Sequence, residues 1–290
     1  FVVDSPPEQS FQTSAPHFSA GRFVLRYNSP MSWASRRRTA YTVGVVLFFA
    51  VVIGGPLAYW YLSVPPTCSD GIQNQRETSI DKGVPCFVLD EKSIQPYALL
   101  WARSFRVRDG SYNAIAYIQN PNKDAGVRVA RYRFGLYDSR NVLVAEREGT
   151  MYIMPGATTP VIEARIDAGK RIVAHTYFEF TAPFIWERMK NNALAISVSN
   201  KDISDVNQAP RLSARAQNTS VTAQTDINFV AVVFDPAGNA FAASATSLSR
   251  LGAGETSEIT FTWPDPFVMQ PSRLDVIPLV APALLTAEAY

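Results

Sequence analysis

Hydrophobic residues follow two different patterns along this chain. Residues 40–64 are mostly apolar and carry no charged side chain. As a helix, this run of 25 residues spans roughly 37 Å, enough to cross a bilayer core of about 30 Å. Beyond Ile94, apolar and polar residues alternate, with many β-branched and aromatic side chains and frequent turn residues. That alternation is typical of strands, so the chain is predicted to be one transmembrane helix followed by a mainly β protein.

Positive charge lies on the N-terminal side of the apolar run. The arginines that precede the run are Arg22, Arg26, Arg36, Arg37 and Arg38, whereas Arg76 and Lys82 are the first cations after it. Since Lys and Arg are retained in the cytoplasm, a single-pass cell-membrane protein with a cytoplasmic N-terminus is predicted. A cleaved signal peptide is the alternative. Its apolar core is normally shorter and ends in small residues, so the uncleaved anchor is favoured.

The segments around the anchor are also predicted from composition. Residues 1–39 are polar, which predicts a disordered cytoplasmic tail, with Met31 as an alternative start of the native protein. Membrane lipid is the expected partner of residues 40–64. Ala50, Gly54 and Ala58 are four residues apart, a spacing that lets two helices approach closely, so weak self-association through this face is a further hypothesis.

Net charge and cysteine content narrow the function classes. The net charge of the 290 residues is only +2, which gives no electrostatic field for nucleic acid. Cys68 and Cys86 are the two cysteines, both close to the predicted membrane exit. An oxidising exterior permits a disulfide between them, so residues 65–93 are predicted to form a disulfide-closed loop or stalk.

The loop between the cysteines resembles the C-x-D-G-x-x-N-x-x-E-x-x-x-D-C-G-G-x-C element of bacterial surface proteins. The matching residues are Cys68, Asp70, Gly71, Asn74, Glu77, Asp81, Gly83 and Cys86. Lys82 stands where that element has its middle cysteine, which leaves one simple bridge. Asp70, Asn74, Glu77 and Asp81 offer hard oxygen ligands, so a Ca²⁺ site is a weak hypothesis. Turn capping by the same side chains is favoured, and no cofactor is expected.

The β region contains an internal repeat. Three landmarks recur in order at an offset of 97 or 98 residues: Gln119 and Gln217, Asp138 and Asp235, Gly156 and Gly254. The turns after both aspartates are predicted to contain a residue with a left-handed φ, Asn141 and Gly238. The preceding strands are predicted to bury one apolar face each, Tyr132, Phe134 and Leu136 in the first copy and Phe229, Ala231 and Val233 in the second.

The repeat predicts two tandem Ig-like β-sandwiches, residues 94–203 and 208–280, with residues 281–290 as a tail. Asp202 to Pro210 is polar and is taken as the boundary. The first copy is longer, and its extra segment, Arg171 to Phe180, alternates like an additional strand.

The strand, Leu136-Tyr-Asp138 and turn pattern resembles the FxLYD-type module, a small β-sandwich of bacterial envelope proteins. The order of anchor, Cys loop, Trp101 to Phe105, Tyr117 to Pro121 and Phe261 to Pro264 is also similar to an uncharacterised family in Parcubacteria-like candidate-phyla bacteria. This resemblance covers nearly all of residues 31–280. It implies a fold and an envelope location but no activity.

No motif points to catalysis. There is no G-x-S-x-G sequence, and His175 is the only histidine after the apolar run. It lies in an alternating strand without a partner motif, so an ordinary strand histidine is favoured over a catalytic base. The chain is therefore predicted not to be an enzyme. An extracytoplasmic hydrolase of wall polymers, acting through carboxylates or His175, remains the enzyme alternative.

Residues 101–133 contain seven cations and two carboxylates. Arg128, Arg131 and Arg133 are the candidate patch for an acidic polymer or lipid headgroups, although a solvated sheet face is favoured. The predicted function is a non-catalytic, membrane-anchored protein that presents two β-sandwiches to a protein or envelope polymer. A scaffold or assembly component of an envelope, secretion or pilus complex is the alternative.

Overall fold

The computed structural model describes residues 33–63, 68–73, 77–84 and 86–285. The chain divides into two compact units, Phe1–Pro65 and Pro66–Tyr290. Residues 1–32, with the alternative start Met31, lie outside the described residues, as does Asn74.

In the first unit one α-helix is described, α1 (Trp33–Ser63). Its segment Trp33–Trp60 contains an 18-residue stretch with a mean hydropathy of 2.1 and is long and apolar enough to cross a membrane, a property that signal sequences share. The helix begins seven residues before the predicted run, so residues 33–39 are helical rather than part of a disordered tail. Arginine is a good helix former, which accounts for this extension through Arg36–Arg38. Ala50, Gly54 and Ala58 are exposed on α1, and their association remains a prediction.

The second unit is built from strands, which confirms the mainly β prediction. The strands of the first repeat are β1 (Ala98–Arg108), β2 (Ser111–Gln119), β3 (Ala125–Tyr137), β4 (Leu143–Ile153), β5 (Thr158–Asp167) and β6 (His175–Phe180). After β7 (Glu187–Lys190) follow β8 (Ile196–Ser204), β9 (Arg211–Asn218), β10 (Gln224–Phe234), β11 (Ala240–Leu251), β12 (Thr256–Thr262), β13 (Arg273–Leu279) and β14 (Ala283–Leu284). Two short 3-10 helices cover Glu91–Ser93 and Asn192–Ala195.

Each repeat folds as a sandwich of two antiparallel sheets. The first sandwich packs the three-stranded sheet β1-β2-β5 on a five-stranded sheet of order β14-β7-β3-β4, in which β6 also pairs with β3. The second sandwich packs two three-stranded sheets, β8-β9-β12 and β11-β10-β13. The predicted inward faces are confirmed, because Phe134 and Leu136 lie in the first core and Phe229 and Val233 in the second, all fully buried.

The strand pairing places the boundary between the two repeats before β8, earlier than the predicted boundary at Asp202 to Pro210. Strand β8, which the sequence analysis placed in the first sandwich, pairs with β9 of the second. Ile196 follows Ala98 by 98 residues, so β8 is the repeat of β1. β8 is an edge strand with one face open to solvent, so it is rich in polar residues. Its composition therefore resembles that of a linker. Strand β14, in the predicted tail, pairs with β7.

The turn landmarks have the predicted backbone. Asn141 has a φ of 58° and Gly238 a φ of +82°, both left-handed. The Asp138 backbone carbonyl accepts a hydrogen bond from the Asn141 N–H, and the Asp235 carbonyl accepts one from the Gly238 N–H. Equivalent positions of the two repeats therefore close the same hairpin turn, with Asn in one copy and Gly in the other.

Each sandwich contains a buried asparagine whose side-chain amide donates hydrogen bonds to backbone carbonyls. Asn120 Nδ2 donates to the carbonyls of Ala125 and Met154, at 2.7 and 3.0 Å. Asn218 Nδ2 donates to the carbonyls of Thr222, Leu251 and Gly252, at 2.8 to 3.0 Å. Both side chains are at most 1 % exposed, so each amide satisfies backbone groups that water cannot reach.

The two sandwiches pack against each other through a third core, here called the seam. It joins the outer face of β1-β2-β5 to the outer face of β11-β10-β13 and contains Ile115, Tyr117, Val230, Val232 and Phe234. Strands β2 and β10 are consequently buried on both faces. The second unit is thus a stack of four sheets rather than two separate modules on a linker.

Strand β7 forms hydrogen bonds with the segments at both ends of this stack. The chain enters through residues 87–89, where Leu89 N–H donates to Trp186 and the Phe87 carbonyl accepts from Arg188 N–H. At the other end, Leu285 N–H donates to the Arg188 carbonyl. The first and last described segments of the stack therefore meet at one four-residue strand.

Acid is expected to weaken the first hairpin through Asp138. The Arg171 guanidinium, 2.6 Å away, and backbone N–H groups hold the pKa of Asp138 at about 2, below its usual value of 3.8. A lowered folded-state pKa stabilises the fold above about pH 4 and ceases to do so as the pH falls through 2. Between pH 5 and pH 2.5, the melting temperature should therefore fall more in the native chain than in Asp138→Asn. Asp109→Asn, which changes a carboxylate that is 94 % exposed, is the control and should follow the native chain. Parallel curves for the native chain and Asp138→Asn would contradict this account.

Candidate functional site

One concavity of the second unit is a groove lined by residues of the seam, here called the seam groove. Its volume is about 480 Å³, within the range of small-ligand sites. It is lined by Leu100, Trp101, Tyr117, Thr158, Lys201, Phe234, Arg273, Asp275, Val276 and Ile277. These residues come from both sandwiches, so the groove exists only because the two repeats pack together.

Two aromatic rings form one wall of the groove. Trp101 on β1 is the cross-strand partner of Tyr117 on β2. Their ring centroids are 4.4 Å apart and their planes differ by 22°, a stacked arrangement. Because β1 is the edge strand of its sheet, Tyr117 covers the inward side of the indole and Trp101 forms the rim.

Charged groups from the second sandwich form the opposite wall. Arg273 and Asp275 point to the same face of β13, and their side chains are 3.2 Å apart. The Arg273 guanidinium also lies 3.8 Å from the ring centroid of Phe234, a cation–π contact. Lys201 Nζ donates to the Leu274 carbonyl at 3.1 Å. The groove is therefore apolar at its base and carries charges of both signs at its edge.

Tyr117 lines the groove, and its hydroxyl is buried. Tyr117 is 6 % exposed. Among the described residues, its hydroxyl is the one buried side-chain polar atom without a hydrogen-bond partner. Burial raises the pKa of Tyr117, and the Asp275 carboxylate raises it further, while Arg273 opposes the shift. The hydroxyl is thus neutral, close to both charged residues, and has an unused donor and acceptor.

The predicted disulfide is present between Cys68 and Cys86, whose Cα atoms are 5.4 Å apart. Glu77 is buried beside it, and its Oε1 lies 3.2 Å from the Cys86 sulfur. Since both sulfurs are joined to each other, neither carries a proton or acts as a thiolate ligand. The contact is therefore packing against the bridge rather than a hydrogen bond or a metal site.

The carboxylates of the Ca²⁺ hypothesis bind backbone amides. Asp81 accepts from Gly71 N–H at 3.1 Å, Asp70 from Ile72 N–H at 2.8 Å, and Glu77 from Asp81 N–H at 3.3 Å. These contacts support the turn-capping alternative. The fourth candidate ligand, Asn74, lies outside the described residues.

Removing the disulfide is expected to loosen this loop locally. A bridge that closes a loop of 18 residues stabilises it by about 3 kcal/mol in the chain-entropy model. In a Cys68→Ser, Cys86→Ser chain, the amides of Thr78 and Lys82, which bond within the loop, should exchange with deuterium about 100-fold faster. The amide of Phe229, in the second core, is the internal control and should not change. Equal loss of protection at all three amides would show that the bridge supports the whole unit instead.

Two of the three arginines of the candidate polyanion patch form ion pairs with glutamates. Arg128 donates to Glu187 at 2.5 and 2.6 Å, and Arg133 contacts Glu179 and Glu146. These hydrogen-bonded carboxylates raise the pKa of both arginines. Arg131 is exposed on the same strand, β3. Carboxylates next to two of the three cations favour the interpretation of this surface as a solvated sheet face.

The remaining candidate, His175, is exposed at the start of β6, opposite Tyr137 in the neighbouring strand β3. It does not line the seam groove. The sequence alone does not predict the groove. The signal for it is the pair of unbroken apolar runs Ala114–Ile118 and Phe229–Phe234, which indicate strands buried on both faces.

Comparison with known proteins shows no close relative. No protein-family model and no curated protein matches the chain. Among solved structures, red sea bream transglutaminase is 10 % identical with a TM-score of 0.22, and covers 63 % of this chain and 31 % of its own length. A Bacteroides uniformis β-glucuronidase is 14 % identical with a TM-score of 0.16, over 62 % of this chain and 23 % of its own.

A third similar structure is the N-terminal CBM22-1–CBM22-2 tandem domain of Xyn10C from Paenibacillus barcinonensis. It is 8 % identical with a TM-score of 0.14, over 70 % of this chain and 91 % of its own length. The chain spans less than a third of the length of the transglutaminase and of the glucuronidase. Likenesses at these TM-scores carry no functional argument.

Proposed function

We propose that this chain is a membrane-anchored, non-catalytic binding protein of the cell envelope. In this proposal α1 is an uncleaved anchor with its N-terminus in the cytoplasm. The stack of four sheets lies outside and takes a ligand into the seam groove. The observation that carries the proposal is the buried Tyr117 hydroxyl beneath a stacked aromatic wall and beside an Arg–Asp pair. Buried polar groups are normally paired, and an unpaired one inside a groove favours a ligand site.

The composition of the groove supports binding rather than catalysis. Its lining contains one carboxylate, Asp275, and no histidine, cysteine or serine. Glycosidase chemistry uses a pair of carboxylates. The groove lining therefore offers contacts for recognition without that pair.

Charge and redox chemistry support the proposed location. Three consecutive arginines stand near the start of α1, and the helix has no basic residue in its last turn. The disulfide that follows α1 in the chain is a bond that persists in oxidising compartments. The same features support membership in the envelope family that the sequence resembles.

The test has two parts, both on the full chain. Protease added to intact cells should digest residues 66–290, and the chain should leave the membrane fraction only with detergent. In lipid nanodiscs, the native chain should sediment with purified cell-envelope material, and Trp101→Ala should weaken this binding at least tenfold. Tyr177→Ala, which removes an aromatic ring that is 58 % exposed outside the groove, is the matched control. Protection from protease, or equal binding by both variants, would overturn the proposal.

A further inference from the structure

We infer that the ligand of the seam groove is a saccharide chain, with one pyranose ring lying on Trp101. This inference rests on the proposed function and gives its ligand a chemical class. A pyranose ring has an apolar C–H face and a rim of hydroxyls that both donate and accept hydrogen bonds. The groove presents surfaces that complement both parts.

Trp101 supplies an aromatic platform, next to the Arg103 guanidinium, whose Cζ lies 5.9 Å from the centroid of the indole ring. Tyr117 covers one side of its ring at 4.4 Å, and the indole is held at the open edge of the sheet by this stacking. The negative face of an aromatic ring attracts the weakly positive C–H groups of a ring laid on it. Because Trp101 is already fixed by Tyr117, little side-chain entropy is lost when a ligand binds there.

The polar edge carries both donors and acceptors. Arg273 offers N–H donors, Asp275 offers carboxylate oxygens, and Lys201 adds an ammonium group. An acceptor such as Asp275 would repel a ligand that is densely anionic, whereas sugar hydroxyls can donate to Asp275 and accept from Arg273. The charges of the edge thus favour a neutral or sparsely acidic saccharide over a phosphate-rich polymer.

The Tyr117 hydroxyl adds a contact that a purely apolar ligand cannot use. Tyr117, Asp275 and Arg273 line the same groove. The hydroxyl oxygen is buried, so a ligand hydroxyl bound to Asp275 gives Tyr117 its missing hydrogen-bond partner once a neighbouring groove side chain moves aside. Pairing of a buried polar group is favourable, so this contact favours a hydroxylated ligand.

The test uses the full chain in lipid nanodiscs and isothermal titration calorimetry with three probes. The probes are cellohexaose as a neutral saccharide, hexagalacturonic acid as an acidic one, and an eight-residue Ser/Thr-rich peptide. We expect one or both saccharides to bind and the peptide not to bind. The saccharide that binds more tightly shows whether the groove prefers a neutral or an acidic sugar chain.

Three variants connect any binding to the groove. Trp101→Ala should weaken saccharide binding at least tenfold, and Trp101→Phe, which keeps a ring, should restore most of it. Tyr117→Phe should weaken binding several-fold while the melting temperature stays the same or rises, because the variant removes an unpaired buried hydroxyl. Tyr177→Ala should bind like the native chain.

Failure of this inference is distinguishable from failure of the proposed function. If Trp101→Ala abolishes binding to envelope material but neither saccharide binds, the groove is a binding site of another ligand class and the saccharide is excluded. Peptide binding that depends on Trp101 has the same meaning. Saccharide binding that Tyr117→Phe and Trp101→Ala leave unchanged would place the sugar outside the groove and overturn the inference.

Discussion

A Val232→Asp substitution is expected to unfold the second sandwich. Val232 is 0 % exposed at the centre of the seam and lies on β10, which is buried on both faces. Hydrophobic seam residues surround it, so a carboxylate at this position is removed from water. An unpaired charge in such a place typically costs 4 kcal/mol or more, a large share of the roughly 5–15 kcal/mol that stabilises a domain. Thermal unfolding of the full chain in detergent, followed by circular dichroism, measures the effect.

The control for this substitution is Gln217→Asp. Gln217 is exposed on β9 of the same sandwich, so the same carboxylate there stays in water and should change stability by less than about 0.5 kcal/mol. The seam also predicts that the native chain unfolds in one cooperative transition, because neither sandwich can open without exposing the shared core. Two well-separated transitions in the native chain, or equal melting temperatures of the two variants, would disprove the shared core.

An Asn218→Ala substitution is expected to lower the free energy of unfolding by about 3–4 kcal/mol. The Asn218 amide donates to three carbonyls, and its Oδ1 accepts from Ser220 N–H at 3.0 Å. Each buried polar group left unpaired costs about 1–3 kcal/mol, and partial access of water to the Thr222 carbonyl reduces the sum. Urea unfolding of the full chain gives the difference.

The repeat provides an internal comparison for Asn218. Asn120→Ala removes the equivalent amide of the first sandwich and should destabilise it by a similar amount. Asn228→Ala, at an exposed position of β10, is the control and should cost less than about 0.5 kcal/mol. A loss below 1 kcal/mol for Asn218→Ala would mean that water replaces the amide.

Local patterns in the sequence predict local structure well in this chain. The apolar run predicts α1, the landmark turns predict the left-handed φ of Asn141 and Gly238, and the two cysteines predict their bridge. The helix and the turns depend on residues close together in the sequence. The disulfide depends on two cysteines for which no third cysteine competes. The inward faces of the strands follow from alternation for the same reason.

The seam and its groove depend on contacts that no local pattern specifies. Alternation shows which face of a strand is apolar, but it does not show that the second face of β10 packs on a different sandwich. The rings of Trp101 and Phe234 reach the same groove from strands that are more than 100 residues apart. The assignment of β8 failed because a polar edge strand and a polar linker have the same composition.

The arrangement around β7 has a mechanical consequence. The incoming segment 87–89 and the outgoing strand β14 both bond to this strand. Tension applied between α1 and any cargo fused after residue 285 would therefore load the few hydrogen bonds of β7 first. The other strands of the stack would bear almost none of that force, so the protein would yield at β7 before its ligand groove deformed.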